Sequence, residues 1–155
     1  MSLNLPHNAL VLVADGRKML LLRNHGDSSR IDLQTEVHQL RRDHKDSDMK
    51  SDMAGRTHSP ASSGLPGGTM GETDYHQQAE DRFAAHVADR MKTMVLAHQF
   101  EHLVVIAPPR TLGELRHHWH KEIPSRILFE IDKDMTDHPI ADIAALIERH
   151  AKQTG

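Results

Sequence analysis

An α/β fold built on a five-stranded mixed sheet is predicted by three features of the chain. Two aliphatic runs, Ala9–Ala14 (ALVLVA) and Leu103–Ala107 (LVVIA), have no polar face, as expected of strands covered on both sides. The second run stops at Pro108-Pro109, with a helix starting directly behind it, which marks one half of a parallel βαβ unit. The apolar periodicity then gives the order β-β-β-α-β-α-β-α along the chain.

Each element has its own warrant. Asp15-Gly16 follows the first run and tolerates the positive φ angles of a tight hairpin, so Lys18–Arg23 (KMLLLR) reads as the returning strand. Ile31, Leu33, Thr35 and Val37 alternate with polar residues, which predicts a third strand with one wet face near a sheet edge. From Ala79 through Phe83, Val87, Met91 and Met94, apolar residues recur every three to four positions, predicting a helix from Asp74 to near His98. Behind the Leu103 strand, Thr111 and Glu114 have capping-box spacing, so a helix is expected over Leu112–His120 with Leu112, Leu115 and Trp119 inward. Arg126–Ile131 (RILFEI) is the fifth strand. Pro139 suits the first turn of a last helix that turns Ile140, Ile143, Ala144 and Ile147 to the core, and Arg149 and Lys152 suit the negative pole of its dipole.

Connection rules fix the order. Strand two already has two neighbours, so the strand after the first helix pairs with strand one in parallel, and a right-handed crossover adds the fifth beyond it. The expected order is 3-2-1-4-5 with three helices on the faces, a ribonuclease H-like arrangement in a single domain spanning 1–155.

Composition narrows the function classes. The chain has 155 residues, 3% aromatic, and a net charge of -3 from 19 basic and 22 acidic residues. That balance disfavours a general nucleic-acid coat, while a local basic patch is compatible with it. The absence of cysteine removes disulfides, thiolate metal sites and cysteine nucleophiles. No apolar run is long enough to span a bilayer and no basic leader opens the chain, so a cytoplasmic location is expected. No cofactor is implied.

Residues 43–71 change character, with Gly, Pro, Ser, Asp and Lys dominating, and read as a mobile loop too polar to offset its ordering entropy. Arg41, Arg42, Lys45, Lys50 and Arg56, with the hinge-like Gly67 and Gly68, make it a candidate partner-binding loop. A second candidate lies at the carboxyl ends of the parallel strands, where α/β sheets gather ligands. There Asp15, Arg17, Arg110, Thr111 at its helix start, and Asp132 form a candidate anion or ligand site. Two-metal phosphodiester chemistry needs several converging carboxylates, and the fourth strand offers none.

Histidine is abundant, with 14 residues. His117, His118 and His120 surround Trp119, but no HExxH or similar pattern appears, so a solvated, weakly basic surface is the expected reading rather than a zinc site. Ser28, Ser29, Ser62 and Ser63 sit in loops outside any G-x-S-x-G elbow, and Gly67-Gly68 lacks the lysine of a phosphate loop.

Two blocks, VLVADGRKMLLLR (Val11–Arg23) and LVVIAPPRTLGELR (Leu103–Arg116), resemble the bacterial host-attachment proteins, the proteins required for attachment to host cells. That family is similar in turn to the central domain of archaeal and eukaryotic peptide-chain release factors, which shares the ribonuclease H-like fold. The resemblance implies a Gly-Gly-Gln tip in the loop before the long helix. Here Gly67-Gly68 is followed by Thr69, and Gln77 and Gln78 fall later, inside the expected helix, so peptidyl-tRNA hydrolysis does not carry over. The favoured expectation is a non-enzymatic binding protein engaging ribosome, RNA or a protein partner. A metal-dependent phosphodiester hydrolase acting through Asp15 and Asp132, and a secreted adhesion-related protein, are the alternatives.

Overall fold

Strand β1 (Leu10–Ala14) is buried at every residue. It lies between antiparallel β2 (Lys18–Asn24) and parallel β4 (Leu103–Ile106), so both its backbone edges are paired. The edge strands are β3 (Leu33–Leu40), antiparallel to β2, and β5 (Ile127–Ile131), parallel to β4. The sheet order is β3-β2-β1-β4-β5, as the connection rules require. The computed structural model describes residues 5–41 and 68–154, with backbone alone at 68–74 and 152–154.

Three helices cover the two faces: α1 (Gly68–Leu96), α2 (Pro109–His118) and α3 (Ile140–Thr154). Because side chains alternate along a strand, each central strand serves two cores. Leu10, Leu12, Met19, Leu21, Leu103 and Val105 meet Phe83, Val87 and Met91 of α1 and Leu112 and Leu115 of α2. Val11, Val13, Leu20, Leu22, Val104 and Ile106 meet Ile143, Leu146 and Ile147 of α3. Burying each such aliphatic side chain is worth about 1.5–3 kcal/mol, which is why the polar-free runs occupy the sheet centre.

Several local expectations are corrected. Helix α1 begins at Gly68, six residues before Asp74. Residues 69–74 (TMGETD) carry no apolar stripe, yet extending an existing helix needs only one more hydrogen bond per residue fixed. Its other end closes as a Schellman turn, with His98 at φ 58 and the Gln99 amide donating to the Met94 carbonyl at 2.9 Å.

The Thr111–Glu114 capping box does not form. Helix α2 starts at Pro109, its N-cap is Pro108 without a side-chain cap, and Leu112 N–H donates to the Pro108 carbonyl at 2.9 Å. Proline suits that first position because its missing N–H would have no partner there. In α3, Leu146 is buried, whereas Ile140 is 37% exposed.

The single wet face of β3 is also overturned. A bulge opposite Leu21/Leu22 skips Glu36, so Leu33 packs with the α3 core while Val37 packs with the α1 core. One extra residue moves every later side chain to the other face. At the first hairpin, no described glycine has positive φ. Gly16 instead allows close approach of α1, since a Cβ there would lie 2.6 Å from Glu80 Cγ and would require that side chain to move.

Two exposed carboxylates tie turns together. Backbone hydrogen bonds from Arg30 and Ser29 hold Asp27 below the usual carboxylate pKa, and the Lys18 ammonium at 2.5 Å does the same for Asp137. A carboxyl with a depressed folded pKa stabilises the fold above its unfolded value of about 3.9, and that stability is lost as pH falls through the folded value. Thermal melts followed by circular dichroism should therefore show no contribution from this pair to pH dependence above about pH 5, and a falling melting temperature below about pH 4. Asp27→Asn lowers the neutral-pH melting temperature and shrinks the acid drop. An unchanged acid drop in both Asp27→Asn and Asp137→Asn would show that neither linkage contributes.

Candidate functional site

The structure places the expected crevice residues where the topology puts them. Asp15 follows β1, Arg110 lies in the first turn of α2 behind β4, and Asp132 follows β5. Asp15 is tightly held. Its Oδ1 accepts the backbone N–H groups of Arg17 at 2.7 Å and Lys18 at 2.8 Å. Its Oδ2 accepts the hydroxyl of Thr136, itself only 4% exposed, at 2.6 Å. The carboxylate thus shapes the hairpin tip and pins it to the β5–α3 connection.

Arg17, Arg110 and Asp132 are exposed and Thr111 half-buried, and among the described residues no hydrogen bond or ion pair joins the side chains of these five residues. Near Asp132, Arg116 pairs with Glu130, whose carboxylate raises the guanidinium pKa first by hydrogen bonding and then by charge, with Asp132 adding a smaller attraction. No group of three His, Asp or Glu among the described residues could hold a metal ion.

Of the candidate loop, Arg42, Lys45, Lys50, Arg56 and Gly67 lie outside the described residues, and Gly68 is the first residue of α1. Arg41 is fixed to the hairpin. Its N–H donates to the Arg17 carbonyl at 2.6 Å and its guanidinium to the Gly16 carbonyl at 3.1 Å.

A concave surface beside Arg41 was not anticipated from sequence. Between β3 and α1 run two adjoining grooves of about 560 and 510 Å³ that share His86. Around the first stand Arg41, Tyr75, Arg82 and His86, over a floor that includes buried Phe83. A side-chain chain crosses the junction. Arg90 donates to Gln39 Oε1 at 3.0 Å, and Gln39 Nε2 lies 2.9 Å from His86 Nε2. Since a guanidinium only donates, it orients the Gln39 amide with its NH₂ toward His86, so His86 Nε2 must accept and its proton sits on Nδ1. Arg82, His86 and Arg90 recur at i, i+4 and i+8, a row of two guanidinium groups around an imidazole beside the buried Phe83–Val87–Met91 row. That spacing was the available signal, though it reads equally as a solvated helix face until β3 is placed opposite.

A family model described as bacterial archaeo-eukaryotic release factor family 12 matches residues 8–147, spanning all five strands, α1, α2 and about half of α3. No curated protein matches the chain.

Proposed function

Since the chain belongs to bacterial archaeo-eukaryotic release factor family 12, we propose that it is a non-enzymatic binding domain that engages the ribosome or structured RNA. One observation carries this reading. The double glycine that precedes a glutamine in the resembling release factors is followed here by Thr69, and Gly68 already opens α1. A threonine hydroxyl cannot present the side-chain amide of that tip. The domain thus keeps the family framework without the tip's chemistry.

The phosphodiester hydrolase alternative finds less support, because three hydrogen bonds, two from hairpin amides and one from the Thr136 hydroxyl, occupy most of the acceptor capacity of Asp15. No described helix is long and apolar enough to cross a membrane. In the proposed reading the protein acts in the cytoplasm as one domain, and any influence on attachment to host cells is indirect.

The basic residues Arg42, Lys45, Lys50 and Arg56 of the β3–α1 connection are the expected phosphate contacts. Cosedimentation with ribosomes and with purified ribosomal RNA tests this across a range of salt. Affinity should fall linearly on a log–log plot as counterions are released. Replacing all four residues with alanine should weaken binding about tenfold or more at low salt. Absence of salt-dependent association with either ribosomes or RNA would overturn the reading.

A further inference from the structure

We propose that the trench between β3 and α1 is a binding site for a single RNA strand, with phosphates held at Arg41 and Arg82 and a base stacked against the Tyr75–Arg82 platform. This rests on the RNA-engaging reading above and assigns it a surface.

Charge is the first argument. The whole chain is net acidic at -3, yet among the described residues lining the first groove stand the guanidinium groups of Arg41 and Arg82 and no carboxylate. A low-dielectric floor of Phe83 and Ala79 beneath the two guanidinium groups concentrates their field on whatever enters. An anionic occupant is the complement.

Shape and chemistry select the kind of anion. The Arg82 guanidinium sits 6.0 Å from the Tyr75 ring centroid, a cation–aromatic pair whose flat groups suit base stacking. The His86 ring stacks on Phe83 with centroids 6.2 Å apart and planes 29° from parallel, so its orientation is fixed by the core. Gln39, oriented by Arg90, has a second amide proton beyond the one aimed at His86, a donor for a phosphate or base oxygen.

The adjoining groove extends the path along α1 as far as Thr93, about 27 Å from Tyr75 at 1.5 Å per residue. That is room for several nucleotides. Of the two carboxylates there, Glu36 is already held by both arms of the Arg23 guanidinium at 3.0 and 3.1 Å. Asp89 remains, suited to accept from base amino groups rather than to meet phosphate. An extended acidic peptide would use the cations but leave the stacking platform idle, so RNA fits more of what the trench presents.

The test uses the full chain and a fluorescent single-stranded oligoribonucleotide of about eight nucleotides, titrated by fluorescence anisotropy at several salt concentrations. Tyr75→Ala should weaken binding about tenfold through lost stacking. Arg82→Gln should weaken it similarly and reduce the salt slope by about 0.7, while Arg30→Gln in the distant β2–β3 turn should change nothing. Affinities of Tyr75→Ala and Arg82→Gln equal to the wild type's, with folding intact by circular dichroism, would overturn the proposal. So would polyglutamate displacing the oligonucleotide as effectively as unlabelled RNA does, since that points to an acidic peptide. Ribosome cosedimentation of the same variants separates the two levels. If ribosome binding survives both substitutions, the trench assignment fails and the functional reading stands. If the wild type binds the oligonucleotide but neither ribosomes nor structured RNA, the trench stands and the ribosomal reading fails.

Discussion

Asn24→Ala should be among the most destabilising single substitutions in the chain, lowering the unfolding free energy by about 3 kcal/mol or more. Asn24 is fully buried at the end of β2. Its Nδ2 donates to the Leu5 carbonyl at 2.9 Å and the Pro6 carbonyl at 3.2 Å, tying down the N-terminal arm. Its Oδ1 accepts from Gly26 N–H at 3.0 Å and Asp32 N–H at 2.9 Å, tying down the turn into β3. Alanine orphans the Gly26 and Asp32 N–H groups and the Leu5 carbonyl at once, each with a desolvation penalty of about 1–3 kcal/mol unless water reaches it. The Pro6 carbonyl keeps the Ala9 N–H at 3.0 Å. For a chain of this size the melting temperature should fall by roughly 6–12 °C. Asn24→Asp keeps the acceptor side while losing the donors and burying a charge, so it should remain destabilised. A loss below about 1 kcal/mol in urea unfolding would mean that the arm and turn hold their shape without this hub.

Nothing in the sequence announces Asn24. It sits just beyond KMLLLR, and only the return of Leu5–Pro6 across it makes it buried. The sheet was readable for the opposite reason. Continuous runs such as Val11–Val13 and Val104–Ile106 can lie only where both faces are covered, and the order of such strands is then restricted by chain connection alone. Errors arose where one residue changes the outcome. The Glu36 bulge reverses the facing of Val37 without altering local polarity, and Pro109 starts α2 so that Thr111 lies inside the first turn rather than at its cap.

The functional surfaces divide in the same way. Asp15 stands at the carboxyl end of β1, where ligand chemistry is often found, but its oxygens are taken up by Arg17, Lys18 and Thr136. Thr136 is separated from it by 121 positions, a partnership no local pattern reveals. Arg82, His86 and Arg90 were visible as a row, but their significance depends on Gln39 of an edge strand that faces them across the trench. Long-range juxtaposition, not residue type, is what the sequence withholds.

Phe83→Ala should lower stability by about 3–5 kcal/mol, the range for a buried aromatic truncated in a packed core. Phe83 is 4% exposed and belongs to the core that joins α1 to Leu12, Leu21 and Val105 of the central strands. Its removal opens a cavity directly beneath the trench and deprives His86 of its stacking surface. Two companion variants make the result interpretable. Phe83→Leu restores most of the apolar volume and should lose less than about 1.5 kcal/mol. Ile140→Ala removes an aliphatic side chain of α3 that is 37% exposed, and should stay within about 0.5 kcal/mol of the wild type. Urea unfolding with fluorescence of Trp119, which packs against the same core, reads all three. If Phe83→Ala behaved like Ile140→Ala, α1 would not be seated on the sheet through this residue. The trench floor would then have no fixed depth, because the helix that forms one wall would be free to move relative to β3.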